Sequence, residues 1–287
     1  MEDKLQLDQR IYLPYMTRLQ AREAARDDTI LLVPVATIEQ HGDHAPLHTD
    51  IDNCLAVCAA TARLVDPEPR CVVAAPVWWS VSPFDPAEFP GTIHMREEIF
   101  KESLGDVVEC YLFGGFRKIV LVNGHGGSTE WMIPEVVRRL NQRQSRLRPE
   151  QGLPAGTRVV TFMWTALLEV FAQEEFMAAR GNPEGCADWH GGDVETGVQL
   201  YLRPELVDMS QARPGLKLKP LEFAPWDIGH SWYWQYIIAG YPSRVEQPGE
   251  MERITGDPTR ATAEIGRRVV ELAAEVMGRF VREFAAV

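Results

Sequence analysis

Three short stretches of this chain mix histidine with carboxylate, the side chains that bind divalent metal ions. Of seven histidines, three (His41, His44, His48) lie between Glu39 and His48, just before Asp50. Glu39 and His41, two apart, project to the same side if the preceding strand continues through them. Imidazole nitrogen and carboxylate oxygen are the donors expected for zinc and its neighbours in the divalent series, and an aspartate can serve two ions through its two oxygens. Asp50 is the candidate bridge, although Asp50 or Asp52 could equally cap the helix that follows. His44 and His48 either join the site or merely line the loop. In the second stretch His125 stands between Gly124 and Gly126-Gly127, residues that permit tight turns and close backbone approach. The third is Asp188-Trp-His-Gly-Gly-Asp-Val-Glu195, in which His190 and Glu195 flank the opening of a short helix. Acidic residues are also common there as caps and first-turn groups.

Three separate loops offering histidine with carboxylate fit a hydrolytic metal centre, where cations acidify water, polarise the substrate oxygen and stabilise developing charge. His190 could then protonate a leaving group or orient the substrate carbonyl, and Glu195 is counted with it as catalytic. Other chemistries fit less well. The loop around His125 could cradle a phosphate at a helix N-terminus, but it has neither the Walker lysine pattern nor GxGxxG spacing. No serine sits in a G-x-S-x-G elbow, and no cysteine has a histidine nearby in a reactive context.

These loops need a scaffold. Thr29 to Ile38 is a branched, apolar run without helical periodicity, which suits a strand buried on both faces. A helix is predicted from about Asn53 to Leu64, a strand from Cys71 to Trp78, a helix from Arg96 to Phe113 and a strand from Lys118 to Val122. Further on come a helix from Ser128 to Gln144, a loop from Gln151 to Gly156, a strand from Arg158 to Met163 and helices over Thr165–Arg180 and Val194–Leu202. Thr259 to Ala286 reads as one long amphipathic helix. The alternation predicts a mostly parallel sheet covered on both sides by helices, with sites beyond the carboxyl ends of the strands.

Composition bounds the function. The 287 residues are 45% hydrophobic and 24% charged, with no linker-like interruption, so a single domain over residues 1–287 with a large core is expected. A net charge of −12 argues against a nucleic-acid or anionic-membrane partner and in favour of a small molecule. The N-terminal residues lack the basic start and apolar run of a secretory signal, and no run of eighteen apolar residues occurs, so a cytoplasmic location is expected. The five cysteines, with no close pair, suit buried packing.

The segment Pro34-Val-Ala-Thr-Ile-Glu-Gln-His-Gly-Asp-His-Ala-Pro-Leu-His-Thr-Asp50 resembles the opening signature of the creatininase (creatinine amidohydrolase) family. Phe89-Pro-Gly-Thr-Ile93, Val122-Asn-Gly-His-Gly-Gly127, His190-Gly-Gly-Asp-Val-Glu-Thr196 and Gly256-Asp-Pro-Thr-Arg-Ala-Thr-Ala-Glu264 resemble its later motifs in the same order. The resemblance implies a three-layer α/β/α sandwich, two divalent ions per chain (zinc first, manganese second) and a homohexamer built as a trimer of dimers. Carried over by position, Glu39 and His125 would bind one metal, His41 the other and Asp50 both. Creatininase itself has a glutamate ligand at the position of Gly127, so the missing carboxylate is assigned to Glu195, and the substrate is expected to differ from creatinine. The expected reaction is hydrolysis of a small cyclic amide or related C–N bond. The alternatives are C–C cleavage of a cyclic diketone derived from inositol, as some family members perform, and an inactive binding or assembly protein. Trp78, Ser80, Ser82, Asp188 and Trp189 are the candidate substrate contacts. Trp79, Trp226, Trp232 and Trp234 are expected mainly in core or subunit contacts, and His94 and His230 in local hydrogen bonds.

Overall fold

The computed structural model describes residues 4–127, 129–182, 190–215 and 254–287. Four parallel strands, β1 (Ile30–Val35), β2 (Cys71–Val73), β3 (Lys118–Asn123) and β4 (Arg158–Met163), form one sheet in the order β2-β1-β3-β4. Their residues alternate between two apolar cores. Ile30, Leu32, Val120 and Val122 face one, whereas Leu31, Val33, Val35, Ile119 and Leu121 face the other. A strand buried on both sides reads as a continuous apolar run, which is why β1 and β3 stand out in the sequence.

The described helices, in chain order, are α1 (Arg18–Ala24), α2 (Thr49–Val65), α3 (Glu97–Gly114), α4 (Thr129–Asn141), α5 (Trp164–Phe171), α6 (Gln173–Ala179), α7 (Asp193–Leu202) and α8 (Ala263–Ala285). Helices α2, α5, α6, α7 and α8 supply the first core, and α3 and α4, with Ala24 of α1, supply the second. The result is the expected α/β/α layering. Long α8 starts where the Thr262 hydroxyl accepts the Ile265 N–H at 3.2 Å.

Several expected boundaries move. Strand β1 stops at Val35 rather than Ile38, so Glu39 and His41 belong to a loop and not to strand alternation. The second strand is three residues long, and beyond it only Val77 makes an isolated bridge, to Val35. Helix α2 begins at Thr49, which places Asp50 inside its first turn. The helix expected over Thr165–Arg180 is two, divided at Ala172, whose φ of −152° leaves the helical region. Helix α1 was not anticipated, although Thr17 and Gln20 form a complete capping box at its start.

The strand order carries a functional consequence. From β1 the chain crosses over one face through α2 to β2, then over the other face through α3 to β3. Connections leaving β1 and β3 therefore diverge, opening a crevice at the carboxyl ends of these adjacent strands. The loops bearing Glu39, His41 and His125, and the first turn of α2 with Asp50, all lie there.

Candidate metal centre

Asp50 lies at the middle of the site. Its Oδ1 is 2.9 Å from His41 Nε2 and its Oδ2 is 3.1 Å from His125 Nδ1. The backbone explains this convergence. At Gly124 a Cβ would stand 2.5 Å from Cys54 Cβ and 3.0 Å from the Asp50 carbonyl oxygen, so only glycine lets the first turns of α2 approach the end of β3 so closely. Asp50 is not the helix cap; that position is His48, and the Asp50 carboxylate is spent on imidazoles.

Around Asp50 the donors fall into two groups of three, Glu39–Asp50–His125 and His41–Asp50–Glu195, each with ligand atoms within 4.8 Å of one another. A third group, Glu39–His41–His190, overlaps them. Glu39 Oε1 is 3.2 Å from His125 Nδ1 and 3.4 Å from His190 Nδ1, and Glu195 Oε2 is 3.6 Å from His41 Nε2.

Backbone and side-chain partners orient these atoms. His41 Nδ1 donates to the Glu39 carbonyl at 3.0 Å, which aims Nε2 at Asp50 and Glu195. His125 Nε2 donates to the Val81 carbonyl at 3.3 Å, which aims Nδ1 at Glu39 and Asp50. Ser82 Oγ donates to Glu39 Oε2 at 2.6 Å, and Glu195 Oε2 accepts the Gly191 N–H at 2.6 Å. Such partners fix ligand tautomer and direction in metal sites.

The electrostatics follow from crowding. Burial opposes charge on His41, but Asp50, Glu195 and Glu39 outweigh it and raise its pKa to about 10. His125 is raised in the same way, against burial, by Glu39 and Asp50. Burial also opposes charge on Glu39 and Asp50, yet the facing imidazoles hold both carboxyls below their ordinary range. Glu195 is pushed up to about 7 by burial, with His41 pulling it down and Asp50 pushing it further up. His190 drops to about 4 because burial and the neighbouring His41 disfavour its charge. Three carboxylates of near-zero to modest exposure around two inward-facing imidazoles are a donor set that fits divalent cations, which would replace the protons on the imidazoles in balancing the carboxylate charge.

All five proposed ligands are thus brought together, and His190 joins them. Its Nε2 lies 2.6 Å from the Gln40 carbonyl and 3.0 Å from the Gln40 side-chain amide nitrogen, and its Nδ1 faces Glu39. The other candidates distribute differently. Ser82 reaches the cluster through Glu39. Ser80 is fully buried, its hydroxyl without a partner among the described residues, and Trp78, 45% exposed, packs edge-on against Trp79. Asp188 and Trp189 lie outside the described residues, as do Trp226, His230, Trp232 and Trp234. His44 holds Thr196 Oγ1 at 2.8 Å, His48 pairs with Asp52 at 3.1 Å, and His94 bonds the Ser82 carbonyl at 2.6 Å. Gln40 was passed over in the sequence because its role depends on the fold bringing it to His190, 150 residues away.

The comparisons agree with this geometry. Residues 14–281 match the family model for creatininase, creatinine amidohydrolase. The chain is 27% identical to the 3-dehydro-scyllo-inosose hydrolase of Thermotoga maritima over 95% of this chain and 83% of that one. It is 25% identical to the creatinine amidohydrolase of Pseudomonas putida, with 92% of each covered, and 30% identical to the mycofactocin precursor peptide peptidase of Mycobacterium ulcerans, covering 88% and 84%. Among solved structures, a manganese form of creatininase superposes with a TM-score of 0.71 at 21% identity, covering 95% of this chain and 98% of that one. A zinc–zinc form of a creatininase variant gives 0.70 at 22%, covering 95% and 97%. With its matched span, its layered fold and its two donor groups sharing Asp50, this chain belongs to the creatininase family of hydrolases.

Proposed function

We propose that the protein is a di-metal hydrolase that delivers water to the carbonyl of a small cyclic amide or related C–N bond. The observation that carries this reading is the arrangement around Asp50, whose two oxygens face two different donor groups. Glu39, Asp50 and His125 would hold one ion, and His41, Asp50 and Glu195 the other. Zinc is the first choice and manganese the second, in keeping with the imidazole and carboxylate donors and with the zinc and manganese forms of the neighbouring structures. When bound, such a pair of ions lowers the pKa of water and polarises a carbonyl oxygen.

The chain's own groups do the rest. Ser82 and the Gly191 amide hold Glu39 and Glu195 in place, and the Glu39 and Val81 carbonyls fix the two imidazoles. His190, held at Nε2 by Gln40 and facing Glu39 with Nδ1, stands beside the donors where it would orient the substrate or pass a proton to the leaving group. Cleavage of a C–C bond beside a ketone is the second reading, favoured by the likeness to the inosose hydrolase and by Gly127. Both reactions attack a polarised carbonyl and use the same residues. We further propose a cytoplasmic homohexamer, a trimer of dimers, acting on a small molecule; among the described residues no helix is long and apolar enough to cross a membrane.

Elemental analysis of the purified protein should find about two divalent ions per chain. Near-zero content that added zinc or manganese cannot restore would refute the reading. Turnover assays of cyclic amides beside cyclic polyol ketones, on metal-loaded protein, then separate C–N from C–C cleavage. Light scattering should give six times the chain mass of 32.4 kDa.

A further inference from the structure

Of the five proposed ligands Glu195 is the least enclosed. Its side chain is 17% exposed, against 4% or less for Glu39, His41, Asp50 and His125. Burial alone does not fix its direction, and a long, rotamer-rich side chain needs partners to be held at a metal.

The turn before α7 supplies such partners. Gly191 donates its N–H to Glu195 Oε2 at 2.6 Å, and its carbonyl accepts the Thr196 hydroxyl at 3.3 Å. Two successive side chains of α7 therefore reach back and hold one glycine at both its N–H and its carbonyl. Gly191 has a φ of +64°, and a Cβ there would stand 3.3 Å from the His41 carbonyl oxygen. This left-handed turn thus lies directly on the backbone of the loop that carries the metal donors.

His44 closes the arrangement. It is 2% exposed, and its Nε2 lies 2.8 Å from Thr196 Oγ1. Its backbone carbonyl accepts the Asp208 N–H at 2.9 Å, so the loop between β1 and α2 grips the chain on both sides of α7. Among the described residues His44 belongs to none of the donor groups; it meets instead the hydroxyl of the residue next to Glu195. The body of α7 is secured by other means. Gln199 donates to Asn53 Oδ1 at 2.9 Å, Val194 and Val198 pack into the first core, and Gly197 lies against Gly266 of α8. Loss of the Thr196 hydroxyl would therefore leave the helix in place and loosen the turn.

We propose that His44 and Thr196 are positioning residues that, through Gly191, hold the Glu195 carboxylate toward the ion of the His41–Asp50–Glu195 group. The inference rests on the di-metal reading above and adds that the affinity for one ion is set by this clasp, separately from the other. The Glu39–Asp50–His125 group has its own supports, the Ser82 hydroxyl and the Val81 carbonyl, which the clasp does not touch.

The test titrates metal-free, full-length protein with cobalt(II), whose visible bands report the coordination of each ion, and counts the ions retained after dialysis. Thr196→Val keeps the shape of the side chain and removes the hydroxyl. One ion should then bind as in the wild type and the other about 10- to 100-fold more weakly, the usual cost of losing an outer partner of a ligand. Thr196→Ser should restore the weakened ion. His44→Phe should match Thr196→Val, and the double variant should be no weaker than either single one, because both act through one link. Unchanged binding of both ions in Thr196→Val, equal weakening of the two, no restoration by Thr196→Ser, or additive losses in the double variant would overturn the proposal. Should His44→Phe fail to fold, the two Thr196 variants alone decide. A wild type that takes up no metal would instead bring down the di-metal reading and the clasp with it, so the two failures are told apart.

Discussion

Two buried acidic centres in this protein are built in opposite ways. At Glu109, on α3, one carboxylate receives Arg139, the Ser145 hydroxyl and the backbone N–H groups of Arg146 and Leu147. At the strand ends, Glu39, Asp50 and Glu195 converge on a few imidazoles and on one another, and Glu130, in the first turn of α4, has no hydrogen-bond partner among the described residues. In the first arrangement the carboxylate finds all its donors within the chain, although Arg139 Nη2 has no partner among the described residues, and it pins the segment after α4 onto α3. Among the described residues the second balances its carboxylates only by holding protons on His41 and His125, the charge that bound cations would replace. A carboxylate saturated by fixed donors serves the fold, whereas carboxylates crowded onto exchangeable imidazole protons can serve a metal.

The largest effect should come from the shared residue of the working centre. Asp50→Ala removes a donor from both groups, so both ions should be lost and turnover should fall by more than about 100-fold, beyond what loss of an outer-shell partner costs. Retention of two ions per chain would break the contrast at its root. Glu109→Ala should behave in reverse. It strands the Arg139 guanidinium and the amides of Arg146 and Leu147, and stability measured by urea unfolding should drop by about 3–5 kcal/mol. Metal content in the protein that remains folded should not change; if it did, the two centres would be coupled rather than separate.

A smaller change is expected for Glu195→Ala, which leaves the Glu39–Asp50–His125 group intact. One ion should be lost and the other kept, and full retention of both would show that a different residue supplies the fifth ligand. The mildest effect is on pH dependence. Burial opposes the Glu109 charge, but Arg139, Ser145 and the two amides outweigh it and hold the carboxyl below its ordinary value of 4.5. A group depressed in the folded state stabilises fully above its unfolded pKa and loses that contribution as pH falls through the folded one. The stability gap between wild type and Glu109→Gln should therefore be constant near neutrality and shrink in acid below about pH 4.5. A gap that grew in acid would contradict the sign of this argument.

Much of this was legible in the chain itself. Strands β1, β3 and β4 begin or end within a residue or so of expectation at most of their boundaries, in β1 and β3 because a doubly buried strand is apolar nearly throughout, and in β4, a partly exposed edge strand, because of its branched and aromatic residues. The end of β1 was less clear, since the apolar residues Ala36 and Ile38 continue the pattern after the strand has stopped. Helix α1 was missed because it is short and buries only Ala24, leaving little periodicity to read. In the site, residue type singled out Glu39, His41, Asp50, His125, His190 and Glu195. The supporting partners of these residues were hidden because many are backbone groups, such as the Val81 carbonyl and the Gly191 N–H, which no side-chain pattern reveals.

By itself, then, the sequence determined the kinds of element and the kinds of donor. Both are local consequences of residue type: apolar periodicity selects strand or helix, and imidazole beside carboxylate selects divalent metal chemistry. Only the tertiary structure decided which donors meet. The strand order places β1 beside β3, and Gly124 lets α2 close against the end of β3, so that Asp50 faces His41 with one oxygen and His125 with the other. It also decided that Glu109 and Glu130, two helical glutamates indistinguishable in a string of letters, have opposite fates. The charge of a buried acid depends on the donors that packing brings to it, and those come from residues distant in the chain.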